Sequence, residues 1–276
     1  MKIEVLDDVA DPRLEDYREV KEAWRVRERG VFLVEGRMAV KALLGADRFT
    51  VRSVLLTEAA LPEIQPLWSA AEARGQSSLS GSRAFVLPPT AMSLVSGVRF
   101  HQGCIAAATV PGDIPIEGLL GSGVQRLLVL EDLTDPDNVG SCFRNALAFG
   151  FDAVLLTPKC APPLYRKSIR TSMGAILKLP FTQVSQDLRE LIDLGERGFG
   201  LVGLTPNAGA RELAELGGNL PVVLIVGSEG TGLSARARSV VDLEVRIPMV
   251  PEADSLNVAT AAGIAMHKIY EASDPG

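Results

Sequence analysis

Histidine, cysteine, aromatic residues and positive charge are all scarce in this chain, and each scarcity removes a class of chemistry. Two histidines, His101 and His267, argue against a His-based zinc site and against a Ser-His-Asp hydrolytic triad. The three cysteines (Cys104, Cys142, Cys160) are odd in number and lack metal-ligand spacing, so they read as reduced, mostly buried thiols. No metal is expected. Aromatic residues make up 5% of the chain against 47% for all hydrophobic residues, which suits α/β architecture with aliphatic cores. No apolar run reaches the roughly 18 residues that a membrane helix needs. The opening Met1-Lys2-Ile3-Glu4-Val5-Leu6 has no signal-peptide pattern, so no membrane partner and a cytoplasmic location are expected.

The net charge of −6 argues against a protein that coats nucleic acid nonspecifically. Its distribution says more. From Ala153 to Gln186 there are Lys159, Arg166, Lys167, Arg170 and Lys178 and no acid; from Ala73 to Gly112 there are Arg74, Arg83, Arg99 and His101, again with no acid. Either stretch alone reads as a solvated face. Two of them in an acidic chain point to a bounded RNA footprint, with Arg166, Lys167 and Arg170 as candidate RNA contacts.

At 276 residues the chain is long enough for two domains. Its first part predicts helices over Pro12–Ala23, Glu35–Leu44 and Pro62–Arg74, and strands over Val31–Val34, Val51–Thr57, Ala84–Leu87 and Cys104–Val110. The Pro/Gly/Ser-rich segment from Pro111 to Gly123 reads as the linker, with the boundary near Gly118. Beyond it, Phe199–Leu204 and Pro221–Val226 read as continuously apolar strands, as a buried parallel sheet requires. A helix is expected from Gly140 to Phe149, stopped by Gly150, and a closing helix from Leu256 to Glu271.

Three strand-to-helix junctions of this second part carry polar residues and glycines: Asp135-Pro136-Asp137-Asn138-Val139-Gly140 with Arg144 beyond it, Gly227-Ser228-Glu229-Gly230-Thr231-Gly232, and Ser255-Leu256-Asn257-Val258 after Ile247-Pro248-Met249. Such junctions are where an open α/β sheet holds its ligands. Neither common nucleotide loop fits the second junction. A P-loop needs lysine where Leu233 stands, and the glycine spacing is the reverse of the dinucleotide fingerprint. These glycines instead let backbone approach a flat ligand closely. Around Asn257 the bland alternative is helix capping by Asp254 or Ser255. An arginine near a helix start, as Arg144 is, is mildly disfavoured by the helix dipole, which points to a role elsewhere, either in a surface ion pair or on an RNA phosphate.

In this order, the three junctions resemble the signature motifs of the SpoU (TrmH-like) RNA 2′-O-ribose methyltransferases, over roughly Arg126 to Glu271. The resemblance implies an α/β chain with two domains. One is a C-terminal methyltransferase domain (118–276) with a knotted, trefoil, mostly parallel sheet; the other is a smaller N-terminal L30e-like α/β domain (1–117) that binds substrate RNA. It implies S-adenosylmethionine as cofactor, held by the positions matching Leu204, Thr205, Gly227, Gly232, Ile247, Met249 and Leu256. It places catalytic roles on Asn138, Arg144, Glu229, Ser255 and Asn257, with Asn138 and Glu229 lining one pocket and holding Arg144. Ser228 stands where the family often has Asn or Ala. The implied reaction methylates a ribose 2′-hydroxyl, with ribosomal RNA ranked ahead of transfer RNA. The implied assembly is a homodimer packed through the Arg144 helix and the closing helix, whose Ala259, Ala262, Gly263, Ala265 and Met266 form a small-residue face. The alternatives are a base methyltransferase and an RNA-binding protein that has lost catalysis.

Overall fold

The computed structural model describes residues 2–18, 29–76, 79–97, 103–121, 123–218 and 221–273. Arg99 and His101 of the second basic stretch lie outside them, as does most of the helix expected beyond Tyr17. The chain forms two compact units. One comprises Met1–Gly112 with Pro163–Lys178, the other Asp113–Pro162 with Leu179–Gly276.

The first unit is built on β1 (Lys2–Val5), β2 (Val31–Glu35), β3 (Val51–Leu56), β4 (Arg83–Val86) and β5 (Cys104–Thr109), in the order β1-β4-β3-β5-β2. The β1, β4 and β3 strands run parallel, whereas β5 pairs antiparallel with β3 and β2. Leu14, Tyr17, Leu55, Phe85, Ile105 and Ala107 fill one of its cores, and the buried Tyr17 hydroxyl meets Ser53 Oγ at 2.7 Å. Pro12–Tyr17 is a 3-10 turn rather than the expected long helix, started by the Asp11 cap and a proline in its first turn. The helix after β2 begins at Arg37, two residues later than expected, because Gly36 takes a left-handed turn at φ 93°.

The second unit carries β6 (Arg126–Leu130), β7 (Ala153–Leu156), β8 (Phe181–Gln183), β9 (Gly200–Leu204), β10 (Arg211–Glu212), β11 (Val222–Val226) and β12 (Leu243–Arg246). Their order is β10-β12-β9-β11-β6-β7-β8, and every pairing between these strands is parallel. Leu127, Val129, Leu155, Leu201, Val223 and Ile225 share one core cluster. Helices Pro136–Ala148 and Val258–Ser273 pack on each other, the first also on β7 and the second on β9 and β11. Apolar-in, polar-out alternation is absent from the inner strands β6, β7, β9 and β11 because a parallel sheet is covered on both faces.

The unit boundary falls at Gly112/Asp113, ahead of the expected position near Gly118. Within the expected linker, Ile116–Leu119 is a short helix, and Ile116, Leu119 and Leu120 pack on the second unit's core. Apolar side chains there outweigh the Pro/Gly signal. The second departure is the segment 163–178, expected in the C-terminal domain and grouped instead with the first unit. Gly174 (φ 82°) explains the close fit, since a Cβ there would stand 3.1 Å from Ala42 Cβ and 3.3 Å from Ala39 Cα.

All three cysteines are buried and free. Burial pushes the thiols of Cys104 and Cys142 up to about 12 and raises that of Cys160. A thiolate is the reactive form. Iodoacetamide at pH 8 should therefore leave the native protein unlabelled and label all three thiols once it is unfolded, as mass spectrometry would show.

Candidate functional site

Parallel topology brings the carboxyl ends of β9, β11 and β12 to one side of the sheet, with β11 inserted between β6 and β9. A crevice outside the carboxyl strand ends is the expected ligand site of such a sheet. A cleft of about 330 Å³ lies there, within the roughly 300–1,000 Å³ range of small-molecule sites. Leu204 and Thr205 line it from the end of β9, Gly227 to Gly232 from the loop after β11, and Ile247, Met249 and Ser255 to Leu256 from the segment after β12. All seven residues expected to hold the cofactor therefore meet in one cleft.

The glycine loop has its shape because two positions admit no side chain. A Cβ on Gly227 would fall 2.2 Å from the Gly232 carbonyl carbon and 2.4 Å from the Leu233 nitrogen, both backbone atoms. Gly232 is left-handed at φ 65° and donates its N–H to the Ser228 carbonyl at 3.0 Å. The Ser228 and Thr231 hydroxyls close the turn at 2.8 Å. Behind the loop, the buried Glu131 carboxylate at the end of β6 accepts the Ser234 N–H at 3.0 Å and its hydroxyl at 2.5 Å. Ser234 in turn caps the following helix by accepting from Ala237 N at 3.0 Å. One carboxylate thus ties the first junction to the second.

The first junction starts its helix earlier than expected, at Pro136, because Asp135 accepts the Asp137 N–H at 2.9 Å and proline occupies the first turn. Just before it, Asp132 is held left-handed at φ 54°. Burial would raise the Asp132 pKa, but donors from Thr157 (2.7 Å), Lys159 (3.2 Å) and Gln186 (3.4 Å) outweigh it and hold the carboxyl below its ordinary value.

The third junction joins the other two through amides. Asn257 Oδ1 accepts from the backbone N–H groups of Ala259 at 3.0 Å and Thr260 at 3.2 Å, so Asn257 caps the closing helix, which starts at Val258. The cap role given to Asp254 or Ser255 falls to Asn257 instead. With its oxygen so engaged, Asn257 donates Nδ2–H to Asn138 Oδ1 at 2.9 Å, and Asn138 Nδ2–H donates to Glu229 Oε1 at 2.6 Å. The capping contact fixes which way each amide points, since one flipped amide would set donor against donor. Glu229 and Ser255 line the cleft; Asn138 and Asn257 lie outside its lining, and Asn257 lines an adjoining groove between the two packed helices.

Arg144 is not brought to this cluster. It is exposed, lines neither the cleft nor the groove, and its side chain has no hydrogen bond or ion pair among the described residues. Six helical positions beyond Asn138, it projects about 120° away around the helix axis. The pocket in which Asn138 and Glu229 hold Arg144 is therefore absent within one chain. The small-residue face of the closing helix is also not open: Ala259, Ala262, Ala265 and Met266 are buried, and a Cβ on Gly263 would meet Asn145 Nδ2 at 2.9 Å. In the first unit, Arg166 is paired with Glu35 at 3.0 Å and only 20% exposed, Lys167 is half-buried, and Arg170 is exposed.

The cleft also contains Pro206, Arg238, Asp254, Val258 and Ala261, which were not foreseen. Arg238 is clamped by Glu244 at 3.0 and 3.2 Å. Asp254 could have been found from its place beside Ser255. Nothing in the sequence marks Arg238, because its position depends on where its short helix folds back.

Comparison with known proteins places the chain in a family. The profile of the SpoU rRNA methylase family matches residues 125–267. An uncharacterized tRNA/rRNA methyltransferase of Mycobacterium bovis is 36% identical over 271 residues, covering 95% of this chain and 89% of its own. The crystal structure of the SpoU methyltransferase AviRb from Streptomyces viridochromogenes, in complex with AdoMet, superposes with a TM-score of 0.80 at 22% identity, covering 96% of this chain and 100% of that one. An RNA 2′-O ribose methyltransferase superposes with a TM-score of 0.76 at 27% identity, covering 96% and 98%.

The double role of Asn257 can be separated by substitution. Asn257→Ala should cost about 1 kcal/mol of stability through loss of the cap. Asn257→Asp keeps the capping oxygen and should melt close to wild type, yet it loses the donor to Asn138. Thermal denaturation of both variants checks this; equal destabilisation by Ala and Asp would show that capping is not the stabilising contact.

Proposed function

Because this chain belongs to the SpoU rRNA methylase family, we propose that it transfers a methyl group from S-adenosylmethionine to a ribose 2′-hydroxyl of RNA, ribosomal RNA ahead of transfer RNA. The observation that carries the reading is the Asn257–Asn138–Glu229 chain ending at the cleft. A 27%-identical neighbour described as an RNA 2′-O ribose methyltransferase supports the ribose oxygen as acceptor. A base methyltransferase has no matching observation.

The cleft suits the cofactor's chemistry. Leu204, Ile247, Met249, Leu256 and Val258 would offer apolar surface to a flat adenine, and the loop backbone at Gly227 and Gly232 would be open to its polar groups. Glu229 and Asp254 are carboxylates on the wall of a site that must hold a sulfonium. When bound, S-adenosylmethionine supplies an already activated methyl group, so the protein's task is positioning and charge stabilisation. Glu229 Oε2 has no partner among the described residues and is free to accept the ribose hydroxyl. Asn138 holds that carboxylate in place, and Asn257 holds Asn138. Ser255 stands at the cleft wall for a second hydroxyl contact.

Arg144 supports the developing alkoxide and a neighbouring phosphate; a guanidinium with a pKa above about 12 is a poor general base. Since Arg144 faces away from its own cleft, it serves the site of a second copy. We place the protein as a homodimer joined through the Pro136–Ala148 and Val258–Ser273 helices, with exposed Leu147 and Ile264 rather than the buried small residues at the contact. The knotted threading of the family, the RNA-gripping role of the first unit with Arg166, Lys167 and chiefly Arg170, and a cytoplasmic location belong to the same proposal. Among the described residues no helix is long and apolar enough to cross a membrane.

Two measurements test the reading. Mapping of 2′-O-methyl ribose on total RNA from cells with and without the gene should show one site lost; an unchanged map with a lost base methylation would overturn it. Arg144→Ala should still bind cofactor and remain dimeric by light scattering, yet lose at least about a hundredfold in turnover. Near-normal turnover would remove Arg144 from the mechanism.

A further inference from the structure

The first unit contains a second cavity, of about 620 Å³, that the methyl-transfer site does not use. Its wall is unusual for an acidic chain. Lys41, Arg48 and Lys178 face it against a single acid, Asp47. The same wall carries two methionines that are exposed although apolar, Met38 at 61% and Met173 at 48%.

Each feature is held in place by local structure. Met38 and Lys41 project from the Arg37–Leu44 helix, and Lys178 ends the Ala175–Lys178 helix. The Arg48 guanidinium lies 4.6 Å over the Phe49 ring, which keeps its plane fixed. Burial lowers the Arg48 pKa to about 10, so it stays cationic at neutral pH. Lys41 has a loose contact with Glu63 at 3.9 Å, in which both side chains remain exposed, so it is available. Met173 is the most telling residue. It is left-handed at φ 52°, a conformation disfavoured for a side chain of its size, and it precedes left-handed Gly174. The close approach of Gly174 to Ala39 and Ala42 locks that turn, and the strain leaves Met173 displayed outward rather than packed. Strain that ends in an exposed apolar side chain marks a contact surface.

We propose that the cleft between Met38 and Met173 binds one unpaired nucleotide of the RNA, its base between the methionines and its flanking phosphates on Lys41, Arg48 and Lys178. Methionine is flexible and polarizable enough to pack on any base face. The cations fit a phosphate backbone, which this acidic chain repels least at a wall where Asp47 is the single carboxylate. Volume agrees, since the cavity lies in the range that takes a ligand of this size. Recognition is thereby directed at a single-stranded segment, where bases are splayed out of the helix. The site rests on the RNA reading above and adds an anchoring point to it, separate from Arg170.

The test uses the full chain and a mixed-sequence single-stranded RNA oligomer containing 4-thiouridine. Lys41→Ala with Lys178→Ala should lower the slope of log affinity against log salt by about 1.4, two single-strand contacts at about 0.7 each. Met173→Gly should leave the melting temperature unchanged or raised, because glycine accepts the left-handed turn, while weakening RNA binding; ultraviolet crosslinks of the wild type should fall on the peptides holding Met38 or Met173. Wild-type protein that binds the RNA with the same slope and affinity as these variants would overturn the site alone and leave the cleft to a protein partner. Wild-type protein that binds cofactor but no RNA would overturn the substrate reading and this site with it.

Discussion

The site depends on one amide doing two things at once. Asn257 closes the first turn of the Val258–Ser273 helix with its oxygen and holds Asn138 with its nitrogen. Because the capping amides can only donate, the Asn257 orientation is settled before any ligand arrives, and the orientation of Asn138 follows from it. The Glu229 carboxylate then receives a donor from a chain that begins at a helix N-terminus, where the helix dipole is positive. Three segments spread over 119 residues of sequence are joined through three side chains.

The same economy governs the cleft. Gly227 and Gly232 bring two backbone stretches into contact, and Glu131 fastens the loop's exit to the end of β6 through Ser234. Backbone that is already in place offers fixed dipoles to a ligand, which costs little reorganisation when charge moves. Methyl transfer from an activated donor asks for this kind of preorganisation rather than for a nucleophile. Arg144, exposed and turned away, is the one expected participant that a single chain does not supply. The proposed homodimer would bring Arg144 of one copy to the cleft of the other.

Much of this was legible in the sequence, and the failures have physical reasons. The seven positions that the resemblance implies for the cofactor meet in one cleft because strand ends in a parallel sheet are forced to one side, so residues after apolar runs converge. Glycine positions could be found because close backbone approach admits nothing else. The cap of the closing helix is Asn257 and not Asp254 or Ser255, since capping residues within a few positions of each other compete and only geometry decides. The linker was misplaced because Ile116, Leu119 and Leu120 are few among prolines and glycines, yet they reach an apolar core. Segment 163–178 could not be assigned to the first unit from local pattern at all. Its partner, the Arg37–Leu44 helix, lies far away in sequence, and the contact turns on Gly174 meeting two alanines. Arg238 and Met173 were invisible for the same reason: their significance comes from what lies beside them.

The account stands most directly on the identity of the molecule in the cleft of the second unit. Calorimetric titration with S-adenosylhomocysteine, set beside ATP and NAD, measures it. The account predicts one site per chain for S-adenosylhomocysteine, abolished in Gly227→Ala because the new methyl group would occupy backbone space in the loop, and no binding of the two nucleotides. Tight binding of ATP or NAD with none of S-adenosylhomocysteine, or undiminished binding by Gly227→Ala, would contradict it.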